Sequence, residues 1–180
     1  LAQKIGRQSP VDDVTRGRDG WLFLGSVKPG YKGHLDPIGD AMHVNLYSEK
    51  ELSAFAQSIV SLRDYLSSRG IEYIYVIAPN KHTIYFEMLP EYIVKQNVES
   101  ATDQLVSYLA KNTDLKIVDL RAPLIEAKKT RQVYYKTDTH WNAYGANVAQ
   151  YEIIKKAAEF FPEDIKPKLL EPNQFTESMG

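Results

Sequence analysis

Twice between Ser48 and Leu120 the chain runs through the same order: a stretch with apolar residues every three or four positions, a stop, then a short β-branched and aromatic run. In the first pass Ser48 and Glu51 have the spacing of a capping box. Leu52, Phe55, Ile59, Leu62 and Leu66 then fall on one helical face. Gly70 supplies a left-handed cap, and "IEYIYVIAP" follows as a strand stopped by Pro79. In the second pass Ala101, Leu105, Tyr108 and Leu109 share one face of a helix over residues 98–112, and "LKIVDL" is the next strand. A strand joined to the next through a helix must cross over and lie parallel to it. Both faces of the resulting sheet then need helices. The expectation is an α/β fold with a mostly parallel sheet flanked by helices.

The grammar continues more weakly on either side. Pro123 sits in the first turn of a short helix expected over Ala122–Lys129. "QVYY" reads as a third, short strand. Asn142 can cap a last helix with Ala146, Ala149, Ile153, Ala157 and Phe160 inward, stopping before Pro162. Residues 1–46 are read as a loop-rich segment with one short hairpin in "RGRDGWLFLGS", turning at Asp19-Gly20. "VKPGYKGHLDPIGDAM" is expected to be irregular, and the tail "PEDIKPKLLEPNQFTESMG" extended. The α/β unit is assigned to residues 47–180, as an incomplete one.

Composition narrows the function classes. At 180 residues, 43% of them hydrophobic, the chain can bury a core of ordinary domain size. Net charge is −1 and no run of Lys or Arg exceeds two, so no basic field points to nucleic acid. The absence of cysteine excludes disulfides, thiolate zinc sites and cysteine nucleophiles together. No apolar run approaches the roughly 20 residues of a membrane span. The sequence starts at Leu1 and not at Met. Something upstream is therefore expected to have been removed; a signal peptide or a membrane anchor is among the possibilities, which these residues do not decide.

In open parallel sheets ligands bind beyond the carboxyl ends of the strands. Two polar segments occupy that edge, "PNKHTIYFEMLP" and "KTDTHWN". Asp138-Thr139-His140 can act as a base and its orienter. The carboxylate fixes the imidazole tautomer and stabilises the imidazolium that forms, and Nε2 then faces a hydroxyl. Trp141 can wall off water or form part of an acceptor surface. The same Asp-x-His pair can also serve as metal ligands, although His34, His43 and His82 lie in unrelated loops and a metal site wants three or more protein ligands. A third possibility is a capped turn with a structural histidine. Lys81 can hold a substrate carboxylate or phosphate, or be solvated. His82 can be a second base. Tyr85 is a further substrate-binding candidate, unless it packs with Leu89 on the sheet edge.

Three patterns occur in one order: "GRDGWLF", "PNKHTIYFEMLP" and "YYKTDTHWNAYGA". Together they resemble the alginate O-acetyltransferase family of the AlgX/AlgJ type, over about Gly17 to Phe160. The resemblance implies an SGNH-hydrolase-like domain in rearranged chain order. It also implies a Ser-His-Asp triad, with Asp138 as orienter and His140 as base. The implied reaction is acetyl transfer to an exported polysaccharide. It needs neither organic cofactor nor metal, and takes place at the periplasmic or extracellular face. A membrane-bound acetyl-donor protein is an implied partner. In the family the serine follows the Asp-x-His motif in a Gly-x-Ser context. Here the only serine after His140 is Ser178, in "TESMG". The chain is therefore expected to be the N-terminal part of a catalytic domain, folded yet inactive alone, with its nucleophile beyond Gly180. An acetyl esterase with the same triad, and a non-catalytic polysaccharide-binding protein of the same fold, are the competing readings; a metal hydrolase is more distant.

Overall fold

A computed structural model describes residues 14–27, 29–30, 36–161, 163 and 166–175 of the chain. Strands β1 (Val14–Arg16) and β2 (Leu22–Leu24) pair antiparallel as the expected hairpin. Asp19 and Gly20, at φ 50° and 76°, give the two left-handed positions of the turn. A short helix, α1 (Pro37–Ala41), follows where an irregular path was expected. Asp36 makes it possible: its carboxylate accepts from the Gly39 N–H at 2.9 Å and caps the helix. The rest of that excursion, Lys28 and Tyr31–Leu35, lies outside the described residues.

The double pass is observed. Helix α2 (Glu49–Ser67) starts on the capping box, with Ser48 N–H donating to Glu51 at 2.8 Å and Glu51 N–H to Ser48 at 3.3 Å. Gly70, at φ 71°, takes the left-handed conformation beyond its end. Strand β3 (Ile74–Ile77) leads through helix α3 (Lys81–Ile84) and helix α4 (Ala101–Asn112) to strand β4 (Lys116–Asp119). β3 and β4 lie parallel, in register from Ile74 opposite Lys116 to Ile77 opposite Asp119. Helices α5 (Arg121–Ala127) and α6 (Ala143–Ala157) complete the elements.

The period-two alternation of the strands separates two cores. Tyr73, Tyr75 and Ile117 face a cluster of Leu52, Ala56 and Ile59 from α2 with Leu105 and Leu109 from α4. Ile74, Val76 and Val118 face the larger cluster, which gathers Trp21, Phe23, Ile84, Leu120, Leu124, Val133, Tyr144 and Val148. The hairpin therefore shares its core with α5 and α6.

Several details depart from the sequence reading. The buried face of α2 is rotated: Ala56 is buried, while Phe55 and Leu62 are 41% and 46% exposed. The small Ala56 side chain lets α2 lie close to α4. In α6 the buried residues are Tyr144, Gly145, Asn147, Val148 and Ala149; Ile153 packs at the core margin and the helix ends at Ala157. "QVYY" is not a strand of the sheet. Val133 donates its N–H to the Tyr85 hydroxyl at 3.0 Å, and Tyr134 bridges only to Trp141. These partners, one of them 48 residues away, use backbone groups that a ladder would need. In the tail, residues 166–175 hold no helix or strand apart from one turn at Pro172–Gln174, and Ser178 lies outside the described residues.

Candidate active site

The segment from Tyr134 to Asn142 folds back on itself. Tyr135 N–H donates to the His140 carbonyl at 3.1 Å, and Asn142 N–H to the Val133 carbonyl at 3.0 Å. Asn142 also caps α6, accepting from the Gly145 N–H at 2.9 Å. The dyad sits between that closed base and the start of α6.

Asp138 and His140 are brought together as their spacing suggested. One carboxylate oxygen, Asp138 Oδ1, accepts both the His140 backbone N–H at 2.7 Å and its Nδ1 at 2.6 Å. These two bonds, the backbone one first, hold the Asp138 carboxyl below the usual carboxylate range. Because a carboxylate can only accept, Nδ1 carries the proton and the lone pair lies on Nε2. Both side chains are open to solvent, 56% exposed for Asp138 and 79% for His140.

Beside the dyad is a cleft of about 350 Å³, lined among others by Leu24, Pro79, Asn80, Thr139, His140 and Trp141. Trp141 is half-buried and forms part of the cleft wall. No serine is among the described residues that line this cleft. A larger cleft of about 550 Å³ shares Ala78, Pro79 and Asn80 with it. Its Arg121 is committed to Asp103 and Asp119, at 2.6 Å each.

Two of the substrate-binding candidates are engaged within the fold, although Lys81 also lines the 350 Å³ cleft. Tyr85 is buried, its hydroxyl is taken by the Val133 N–H, and its ring lies 4.3 Å from that of Trp21. It is a core post and not a cleft residue. Lys81 is only 2% exposed. Its ammonium donates to the carbonyls of Tyr135, Lys136 and Asp138 at 3.1, 3.2 and 2.7 Å, which uses all three of its N–H groups. No donor is left for a substrate anion. His82, considered as a second base, is buried with Nε2 2.8 Å from the Leu24 carbonyl. Burial pulls its pKa down to about 4, so it is a neutral structural group at ordinary pH. His43 is engaged with the Asn97 carbonyl at 2.9 Å. His34 lies outside the described residues, and among those described no group of three or more His, Asp or Glu is placed to hold a metal.

The sequence reading missed how the hairpin enters the site. Leu22 N–H donates to the Lys136 carbonyl at 3.0 Å. The rings of Trp21 and Phe23 lie 5.4 and 5.0 Å from the Lys81 ammonium. The three sequence patterns thus meet at one point in space, directly beneath the dyad.

A match to the family described as "SGNH hydrolase-like domain, acetyltransferase AlgX" runs over residues 14–179. The chain belongs to this family. Relatives include the probable alginate O-acetylase AlgJ of Pseudomonas putida, 31% identical over 139 residues, a match covering 76% of this chain and 31% of that protein. Its counterpart in Pseudomonas syringae pv. tomato is 28% identical over 155 residues, covering 86% and 36%. Among solved structures, the O-acetyltransferase domain of Pseudomonas putida AlgJ superposes with a TM-score of 0.57 at 25% identity, over 83% of this chain and 48% of that one. PatB1 of Bacillus cereus, solved with a sulfonyl adduct, gives 0.56 at 20% identity over 94% and 51%, a likeness of fold. The AlgX-family chain described here therefore has an SGNH-hydrolase-like α/β fold. It spans about a third of the length of these curated relatives and about half of the solved domains.

Proposed function

We propose that this chain contributes the base and its orienter to a Ser-His-Asp site that O-acetylates an exported polysaccharide. The observation that carries the reading is the 2.6 Å bond from His140 Nδ1 to Asp138, which leaves Nε2 free beside a cleft. An imidazole in that tautomer can accept a proton from a hydroxyl. The serine would come from residues outside these 180, on a strand of the same parallel sheet. β3 and β4 would then be two members of a larger sheet in rearranged chain order.

In the first half-reaction serine Oγ attacks the acetyl carbonyl while Nε2 takes its proton. The tetrahedral intermediate collapses, and the donor's leaving group departs with that proton. In the second half-reaction a sugar hydroxyl attacks the acetyl-serine ester and gives its proton to Nε2. Collapse then returns the proton to the serine oxygen. Trp141 would offer an apolar ring face to the acceptor sugar. The names of the relatives support alginate or a similar exported polymer as that acceptor, hence a periplasmic or outer-face location. A membrane-bound protein is the proposed acetyl donor. Among the described residues no helix is long and apolar enough to cross a membrane.

A second reading, acetyl ester hydrolysis, is favoured by one observation. His140 is open enough for water to reach Nε2 in place of a sugar. The test follows acetate from a small activated ester, using the full-length protein with and without polysaccharide. Acetyl appearing on the polymer supports transfer; free acetate alone, at the same rate with and without polymer, supports hydrolysis. In that assay Asp138→Asn is expected to lower turnover about 10²-fold. The effect should stay below that of losing the base, because water dilutes the field of an exposed carboxylate. Unchanged turnover in Asp138→Asn would remove the orienter from the scheme.

A further inference from the structure

We propose that Lys81 is a positioning residue, whose buried ammonium fixes the backbone of Tyr135–Asp138 and thereby holds the Asp138 carboxylate on His140 Nδ1. The inference rests on the dyad being the base and orienter of the reaction. Within these 180 residues the dyad side chains are mostly exposed, so side-chain packing from this part of the protein does little to orient them. Their placement has to come from the backbone that carries them.

That backbone has an unusual shape. The carbonyls of Tyr135, Lys136 and Asp138 converge on one point, within 3.2 Å of a single nitrogen. Converging carbonyl dipoles repel one another unless a donor of matching number sits between them. A lysine ammonium offers three N–H groups in a compact tetrahedral head, whereas an arginine fork is planar and points its donors apart. The shortest of the three bonds, at 2.7 Å, goes to the carbonyl of Asp138 itself. On its other side the ammonium is flanked by the Trp21 and Phe23 rings.

A purely structural explanation fits less well. Burying a charged lysine is unfavourable, and apolar residues of similar volume often serve stability as well or better. Burial draws the Lys81 pKa down to about 8, against the opposing pull of the Asp138 charge, so keeping the cation there carries a desolvation cost. Within this arrangement, its specific product is the loop that presents the dyad.

The experiment measures steady-state hydrolysis of a small chromogenic acetate by full-length wild type, Lys81→Met, Lys81→Arg and His140→Ala, with the melting temperature of each. Lys81→Met is expected to lower kcat about 10²-fold, the size of effect that an ångström of misplacement produces. KM should stay within about twofold; Tm should fall by several degrees, because three carbonyls lose their donor, but kcat measured well below the transition should fall far more than the folded fraction. Lys81→Arg should restore only a small part of kcat. Three results would each overturn the proposal: kcat kept within about twofold, KM raised with kcat intact, or a fall in kcat that tracks loss of folded protein. If Lys81→Met does not fold, the same three criteria are read on Lys81→Arg. His140→Ala separates the two claims. Wild-type turnover in that variant removes the dyad reading itself, whereas its loss beside an unaffected Lys81→Met removes only the role of Lys81.

Discussion

Replacing His140 by alanine in the full-length protein is expected to lower turnover of a small acetate by up to about 10⁴-fold, the upper end of what general-base assistance contributes. The melting temperature should stay nearly constant. Within these 180 residues His140 is 79% exposed, so its truncation removes no contact from the two hydrophobic cores. The kinetic loss is large because, among the described residues lining the cleft, neither His82 nor Lys81 is free to replace the base. His82 is buried and bonded to the Leu24 carbonyl, and Lys81 has its three donors in use. Asp138 is needed to orient the ring. Stopped or continuous assays on the two proteins, with circular dichroism beside them, measure both halves of the expectation. Near-wild-type turnover would leave the dyad as a structural turn.

The largest effect on stability is expected at Gly145. A methyl group there would meet the Val133 carbonyl oxygen at 2.1 Å and the Trp141 Cβ at 3.0 Å. The first contact is with backbone that is already fixed, because that same carbonyl accepts from Asn142 N–H. The start of α6 would have to move away from the returning loop. Gly145→Ala is expected to destabilise by about 1–3 kcal/mol, the usual range for overpacking, and to lower Tm by several degrees. Activity should fall beyond what unfolding explains, since Asn142 and Trp141 anchor the exit of the dyad loop. Thermal melts and kcat at a temperature well below the transition separate the two effects. An unchanged Tm would mean that α6 relaxes freely, contrary to the packing described.

The parts of this molecule that were readable in advance are those whose signals are local. Ser48 and Glu51 cap a helix through groups three residues apart, and Asp138 reaches His140 across two. What escaped the sequence depends on distant partners. Lys81 after a strand end reads the same whether its ammonium points outward or back under the chain. The direction is decided by carbonyls 54 to 57 residues later. Tyr85 likewise became a core post because Val133, 48 positions on, needed an acceptor for its N–H, and that bond removed the third strand as well. The "GRDGWLF" pattern was visible as a turn and an apolar run, but nothing local to it tells that Trp21 and Phe23 flank the cation beneath the dyad.

The central claim is that His140 activates a serine lying outside these 180 residues. The most direct measurement labels the full-length protein with a serine-directed sulfonyl fluoride, follows the rate, and maps the modified peptide by mass spectrometry. The account predicts one adduct, on a serine beyond this sequence, formed rapidly in the wild type and slowed by orders of magnitude in His140→Ala. An adduct on any serine within the sequence, or a labelling rate that His140→Ala leaves unchanged, would contradict it.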